Sequence, residues 1–345
     1  MPELPEVETI AGDLRRLVTG ARIVSASSDW PPTLRSHDAD GFARAVAGRE
    51  IEGVGRRGKQ LLVWLGPIDG GADAAAAVLT IHLKMTGQLF VGPAGTPHDR
   101  HVHAVLVLAD GRELRFRDIR KFGRIGLYRR DDATGLPVEG EAVGVLPTGL
   151  EPLADDLTPT RFADLLARRR GRLKTLLMNQ DFLAGVGNIY ADESLWRARL
   201  HPLREAHTVK PADARRLHAA LRAVLVEAVE RRGSSVDDYT APEGDGSMQE
   251  HLQVYQRAGE PCDRCGRPIR RIVVGGRSTH FCSWCQRLPS AAVPIGTVDA
   301  TRRGPRWTEL SGEGVVGRTA AEESRAAARK AAATRRAIAR SGGPA

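Results

Sequence analysis

Three groups of residues in this chain have types and spacings that could do chemistry. The first is its start, MPELPEVETI. Once Met1 is removed, as a small second residue usually permits, Pro2 is a free secondary amine with the Glu3 carboxylate beside it. A terminal amine ionises at about 7.7–8.0 against about 10.4 for lysine, so near neutral pH a useful fraction is unprotonated and nucleophilic. The same string also reads as a plain helix start, with an early proline and acidic residues in the first turn.

The second group is the four cysteines, all inside PCDRCGRPIRRIVVGGRSTHFCSWC with spacing C-x2-C-x16-C-x2-C. Each C-x2-C pair suits a tight knuckle presenting two thiolates to one ion, and RRIVVGGRSTHF reads as a hairpin joining the knuckles. One tetrahedral Zn2+ on Cys262, Cys265, Cys282 and Cys285 follows, structural because four protein ligands leave no open position. Two disulfides are the competing reading. The acidic N-terminus lacks a secretion signal and points instead to the cytoplasm, where thiols stay reduced. The hairpin also carries Arg270, Arg271 and Arg277, and a metal-pinned hairpin can hold an arginine against phosphate.

The third group is QDFLAGVGNIYADESLW, 180–196. Its glycines permit close backbone approach just where a following helix exposes unpaired N–H groups. That is a geometry for holding a phosphate, with the Asn188 amide as a further donor and Lys174 as a source of charge. A plain helix connection is the alternative.

Such residues need elements to position them. Val7, Ile10, Ala11, Leu14, Leu17 and Val18 recur at helical spacing and Gly20 is a stop, which predicts an amphipathic helix at the head of the chain. Segments 22–28, 50–65, 77–91 and 102–128 are short, β-branched and alternating, the pattern of a β-sandwich or barrel-like sheet domain. Stretch 66–77 reads as a flexible loop. Pro and Gly up to 152 read as a linker, and helical patterns follow at 160–169, 172–180, 188–197 and 211–232. Residues 233–250 are polar and Gly-rich, which predicts a mobile loop.

Charge narrows the partners. The chain has 51 basic and 42 acidic residues, a net +9, but residues 286–345 alone hold 11 basic and 5 acidic, +6, which leaves +3 for the rest. An anionic partner of the body must therefore be argued from local clusters such as Arg56, Arg57 and Lys59, or the run from Arg168 to Lys174. No apolar run is long enough to predict a membrane span.

Taken in series, PELPEVET, GRRGKQLL at 55–62, HLKMTGQL at 82–89, DIRKFGRIGL at 118–127, LAGVGNIYADESLW at 183–196, LQVYQRAGEPC at 252–262 and the four-cysteine window resemble the bacterial formamidopyrimidine-DNA glycosylase family. The resemblance runs from residue 1 to about 287. It implies an α+β multidomain protein: a helix-headed N-terminal β-sandwich (1–131), a linker (132–152), a helix-two-turns-helix DNA-binding domain with a lesion loop (153–250) and a zinc finger (251–287). Beyond it, residues 288–345, rich in Ala and Arg with few large apolar residues, read from composition as a basic, disordered tail. The resemblance also implies a monomer acting on damaged double-stranded DNA in the bacterial cytoplasm, at the nucleoid. The implied activity is that of a base-excision-repair glycosylase and AP lyase. It removes 8-oxoguanine and formamidopyrimidines through a Schiff base on the N-terminal proline, then nicks the strand by β,δ-elimination.

By the same resemblance Pro2 is the nucleophile, Glu3 the general acid, Lys59 a contact to the phosphate beside the lesion, and Arg277 the phosphate grip that aids the second elimination. His101, Arg170, Lys174 and Asn188 fall at DNA contacts. Met85, Arg120 and Phe122 match a trio that fills the hole left by a flipped base; without the resemblance, Met85 and Phe122 would read as sheet-core residues. Glu6 matches another active-site carboxylate, and His82 lies near the DNA path or is a packed strand residue. Ile119 replaces a proline common before the wedge arginine, Arg170 replaces a lysine, the 66–77 loop is long, and the tail is unusual. The competing functions are an endonuclease VIII-like glycosylase for oxidised pyrimidines, disfavoured by Leu4, and a damaged-DNA-binding protein without chemistry.

Overall fold

The computed structural model describes residues 1–68, 75–234, 244 and 246–289. Expectations for the rest of the 66–77 and 233–250 loops, and for the tail beyond 289, lie outside the described residues.

Helix α1 (Leu4–Val18) turns Val7, Ile10, Ala11, Leu14 and Val18 into the core of a β-sandwich, as their spacing predicts. The sandwich is made of β1 (Ile23–Ser28), β2 (Ile51–Arg57), β3 (Gln60–Leu65), β4 (Ala77–His82), β5 (Gly87–Pro93), β6 (Val102–Leu108), β7 (Arg112–Asp118) and β8 (Arg124–Arg129). They form two antiparallel four-stranded sheets, ordered β1-β6-β7-β5 and β2-β3-β4-β8. Alternate residues, such as Leu61, Val63 and Leu65 of β3 and Ala104, Leu106 and Leu108 of β6, point into the shared core. A helix the sequence pattern does not reveal, α2 (Ala39–Val46), is capped by Asp38, whose Oδ1 accepts from the Gly41 N–H, and buries only Phe42 and Val46.

The second half is helical: α3 (Pro159–Ala167), α4 (Leu173–Leu177), α5 (Asn188–Arg197) and α6 (Pro211–Glu230). Leu217, Leu221, Val224, Leu225 and Ala228 give α6 one buried face. α4 stops short of its predicted end at 180. There the Gln180 side chain donates to the carbonyls of Met178 and Val186 and accepts from the Gly185 N–H, which folds the chain into the turn before α5. Leu4, alone in α1, belongs to this second core.

Segment 132–152, expected as a linker, has no helix or strand but is tied down. Trp64 Nε1 donates to the Gly135 carbonyl at 2.7 Å, and Glu151 accepts from Arg56 at 2.6 Å and from the Gly58 N–H at 2.5 Å. The cysteine window folds into β9 (Arg270–Val274) and β10 (Arg277–Phe281), paired from Arg277↔Val274 to Phe281↔Arg270. Gly275 and Gly276 form its two-residue turn with φ of +56° and +73°, conformations that favour glycine.

Candidate active site and DNA interface

The N-terminus is docked on the start of α5. Glu3 is 3% exposed; its Oε2 accepts from the Gly187 N–H at 2.8 Å and its Oε1 from the Ile189 N–H at 2.9 Å. The Leu4 N–H donates to the Gly185 carbonyl at 3.0 Å. Unpaired N–H groups at a helix start attract an anion, but the anion here is the chain's own Glu3. The phosphate expected in this turn is thus displaced by a carboxylate, and the glycines serve the close approach of the N-terminus. Gly185 has φ +91°, and a Cβ on it would sit 2.8 Å from Leu4 Cβ.

A Cβ on Gly187 would fall 2.5 Å from Glu3 Oε1 and 2.6 Å from Lys59 Nζ, so one glycine lets the carboxylate and the amine share a site. Lys59 follows the left-handed Gly58 in the β2–β3 turn and is buried. Burial pushes its ammonium below the ordinary lysine value; Glu3 and Glu6 oppose this, and the charge of Arg277 adds to it. Arg277 is exposed at the start of β10. Glu6 accepts from the Glu3 N–H at 2.8 Å, from the Tyr190 hydroxyl at 2.5 Å and from the Ser234 N–H at 2.8 Å. Burial, then the Glu3 charge, raises the Glu6 carboxyl above its ordinary value.

α5 also aims the zinc hairpin, through two carboxylates that the sequence reading leaves unassigned. Asp192 takes Lys174 Nζ at 2.6 Å on one oxygen and the His280 N–H of β10 at 2.8 Å on the other. Glu193 accepts from the backbone N–H groups of Gln253, Val254 and Tyr255. Lys174 is 0% exposed and also donates to the Asn188 carbonyl, so the structure corrects its expected role: it is a buried strut and not a surface phosphate contact. Asn188 donates through Nδ2 to the Ser278 carbonyl at 3.0 Å, joining α5 to the hairpin.

The four cysteine Sγ atoms lie within 4.8 Å of one another, with Cys265 and Cys282 at 3.5 Å, too far for a disulfide. A zinc–thiolate tetrahedron with bonds of about 2.3 Å has edges near about 3.8 Å, so the set fits one ion. Trp196 of α5 donates through Nε1 to Cys262 Sγ at 3.4 Å.

Across the sandwich, Met85 and Phe122 are 41% and 46% exposed, which removes their reading as core residues. Asp118, 1% exposed, ties their loops together: Oδ1 accepts from the Thr86 hydroxyl and the Arg120 N–H, and Oδ2 from the Gly123 N–H. The Arg120 guanidinium lies 5.0 Å from the Phe122 ring centroid. His101 is half-buried, its N–H on Asp99 and its carbonyl on the Asp118 N–H. Arg170 is exposed. His82 Nδ1 accepts from the Lys84 N–H, and burial, then the charges of Lys84 and Lys59, lowers its pKa to about 3. Arg56 and Arg57, read as a basic cluster, are bound to Glu8, Glu151 and the Gly149 carbonyl, leaving Lys59 as the cation of that turn that faces the site.

Three family profiles match in order: the formamidopyrimidine-DNA glycosylase N-terminal domain over residues 1–125, the formamidopyrimidine-DNA glycosylase H2TH domain over 148–240, and a zinc finger found in FPG and IleRS over 259–288. The chain belongs to the formamidopyrimidine-DNA glycosylase family. The formamidopyrimidine-DNA glycosylase of Chloroflexus aurantiacus is 48% identical over 288 residues, 83% of this chain and 98% of the relative. Among solved structures, the MutM (FPG) protein of Thermus thermophilus is 43% identical with a TM-score of 0.69, over 83% of this chain and 98% of that one. Wild-type Lactococcus lactis Fpg (MutM), in complex with DNA containing N7-benzyl-Fapy-dG, is 33% identical with a TM-score of 0.74, over 83% and 100%. The sandwich, helical domain and finger are those of this family, and its cysteines hold one structural Zn2+.

Proposed function

We infer that this protein is a bifunctional DNA glycosylase and AP lyase that removes oxidised purines from double-stranded DNA in base excision repair. The observation that carries this reading is the meeting of Glu3, Lys59 and the start of α5 at Gly187, which fixes the residue after Pro2 beside an amine of lowered basicity.

The Glu3 carboxyl is held by the N–H donors of Gly187, Ile189 and Tyr190. In the mature chain the Pro2 nitrogen attacks C1′ as the C1′–base bond breaks. Glu3 takes the proton released from that nitrogen and delivers it to the sugar ring oxygen, which opens the ring. The resulting iminium cannot be neutralised at nitrogen. It draws electrons as Glu3, freed of its proton, takes the C2′ proton and the 3′ phosphate departs. Loss of the C4′ proton then expels the 5′ phosphate, and water hydrolyses the remaining carbon–nitrogen double bond to release the enzyme. Lys59 holds the phosphate beside the lesion, and Arg277 grips it for the second departure. Met85, Arg120 and Phe122 occupy the space of the flipped nucleotide, the ring wedged between base pairs and the guanidinium facing the orphaned base.

Because one chain supplies every part of this site, the protein works as a monomer. It acts where bacterial DNA is, in the cytoplasm; no described helix is long and apolar enough to cross a membrane. Borohydride trapping on an 8-oxoguanine duplex is expected to give a covalent adduct with the mature protein and none with protein whose mass shows retained Met1. An adduct on a pyrimidine lesion alone would assign the endonuclease VIII-like activity, and none on either would leave a DNA-binding protein.

A further inference from the structure

Residues 261–289 carry six arginines and one aspartate, a formal +5, more than the +3 of the whole of residues 1–285. The nearby acids are already used, since Arg257 takes both Asp263 and Glu260 at 2.9 Å. Three of the six arginines lie on indoles instead. Arg264 is 4.0 Å from the Trp196 ring centroid, while Arg267 and Arg287 are 3.4 Å and 4.0 Å from that of Trp284, itself 49% exposed. Among the described residues, no carboxylate forms an ion pair with Arg267 or Arg287.

Stacking on an aromatic face fixes the plane of a guanidinium and leaves its N–H edges outward, whereas a fork onto a carboxylate consumes them. Two such cations on one ring repel each other, and an anion bridging their edges relieves that repulsion. Planar paired donors suit an oxyanion with two adjacent oxygens, of which phosphate is the one this protein's partner supplies in series. Trp284 lies in the second knuckle, at the far end of β10 from the Gly275–Gly276 turn and Arg277. Five residues of strand at about 3.4 Å each separate the two ends by about 17 Å, roughly five base pairs of duplex.

We propose that Arg267 and Arg287, held on Trp284, form a second phosphate-binding site for duplex backbone outside the segment gripped at the lesion. The proposal rests on the DNA-repair reading and adds a grip on flanking DNA to it. Its test is a salt titration of binding to two lesion duplexes, one confined to the lesion segment and one extended on both sides. Each is measured with the wild type, R267Q/R287Q and W284A. At about 0.9 per neutralised phosphate, the wild-type slope of log K against log salt should be steeper on the long duplex by roughly 1.8. Both variants should lose that difference and match the wild type on the short duplex, with zinc content unchanged. W284A keeps both charges, so its loss would show that orientation by the ring matters.

Equal wild-type slopes on the two duplexes would overturn the site, as would a loss of equal size on both lengths. A slope recovered by adding the flank as an unlinked duplex would keep phosphate as the ligand and assign it to a second DNA molecule. Trapping on the short duplex should be the same for all three proteins. Its failure in the wild type would count against the glycosylase reading and not against this site.

Discussion

At the scale of single residues, the site depends on what is absent at position 187. A Cβ there would press on both Glu3 and Lys59, and a displacement of about 1 Å in a reacting group can cost about 10²-fold. Gly187→Ala is therefore expected to slow borohydride trapping by about two orders of magnitude with zinc retained; a trapping rate near wild type would show that the two groups need not share this space. Lys59 makes a second prediction. Its lowered pKa should give the elimination step on abasic-site DNA a pH inflection below the ordinary lysine value of about 10.4, and Lys59→Arg, permanently charged, should abolish it. Neither feature is legible locally. GVGN reads as a phosphate turn because its real ligand, Glu3, is 184 residues away, and Lys174 reads as a free cation because its counterion lies on another helix.

Among the elements, α5 does the most positioning for its length. Asp192 compensates a fully buried Lys174 and holds β10. Asp192→Ala leaves that charge unpaired, so a loss of about 3–5 kcal/mol is expected in urea unfolding, with slacker zinc retention. Stripping the zinc with a chelator should abolish duplex binding, because Arg277 loses its frame, yet leave the far-UV signal of the helices and sandwich in place. Sequence reading recovers most of this layer. Long periodic runs place α1 and α6 within a few residues, since each turns an apolar stripe to a core, whereas α5, buried continuously from Ile189 to Trp196, is placed by the glycine turn that precedes it. α2 escapes because it is only eight residues long and buries two side chains, too short a run to stand out between strands. The wedge role proposed for Met85 and Phe122 comes only from resemblance; an exposed Met or Phe has the same composition as a buried one until the Asp118 tether is seen.

For the whole molecule, stability should depend on pH through histidines kept neutral by burial. His201 is 7% exposed, edge-on to Phe281 with ring centroids 4.7 Å apart, and burial lowers its pKa to about 4. The unfolded chain takes up that proton near pH ~6.5 and the native state does not, so the contribution is complete above ~6.5 and is lost as pH falls toward 4. Each such histidine adds a slope of up to about 1.4 kcal/mol per pH unit in that window. His82, lowered to about 3, extends it further down. Thermal melts of His201→Asn against wild type should converge as pH drops from neutral to 4; parallel curves would mean that His201 is protonated in the native state.

The docking of Glu3 on residues 187–190 also bears on how the protein matures. The end of the chain that is synthesised first is anchored by a stretch synthesised much later. Domains fold as units from the N-terminal side during translation, so the sandwich can form while the N-terminus still lacks its seat. Once α5 has emerged, Pro2 becomes buried, although Met1 stays 45% exposed. The interval before that docking is when a peptidase has open access to the Met1–Pro2 bond. A chain that docks with Met1 still in place would keep the Pro2 nitrogen, the nucleophile proposed above, capped as an amide until a peptidase reaches the exposed Met1.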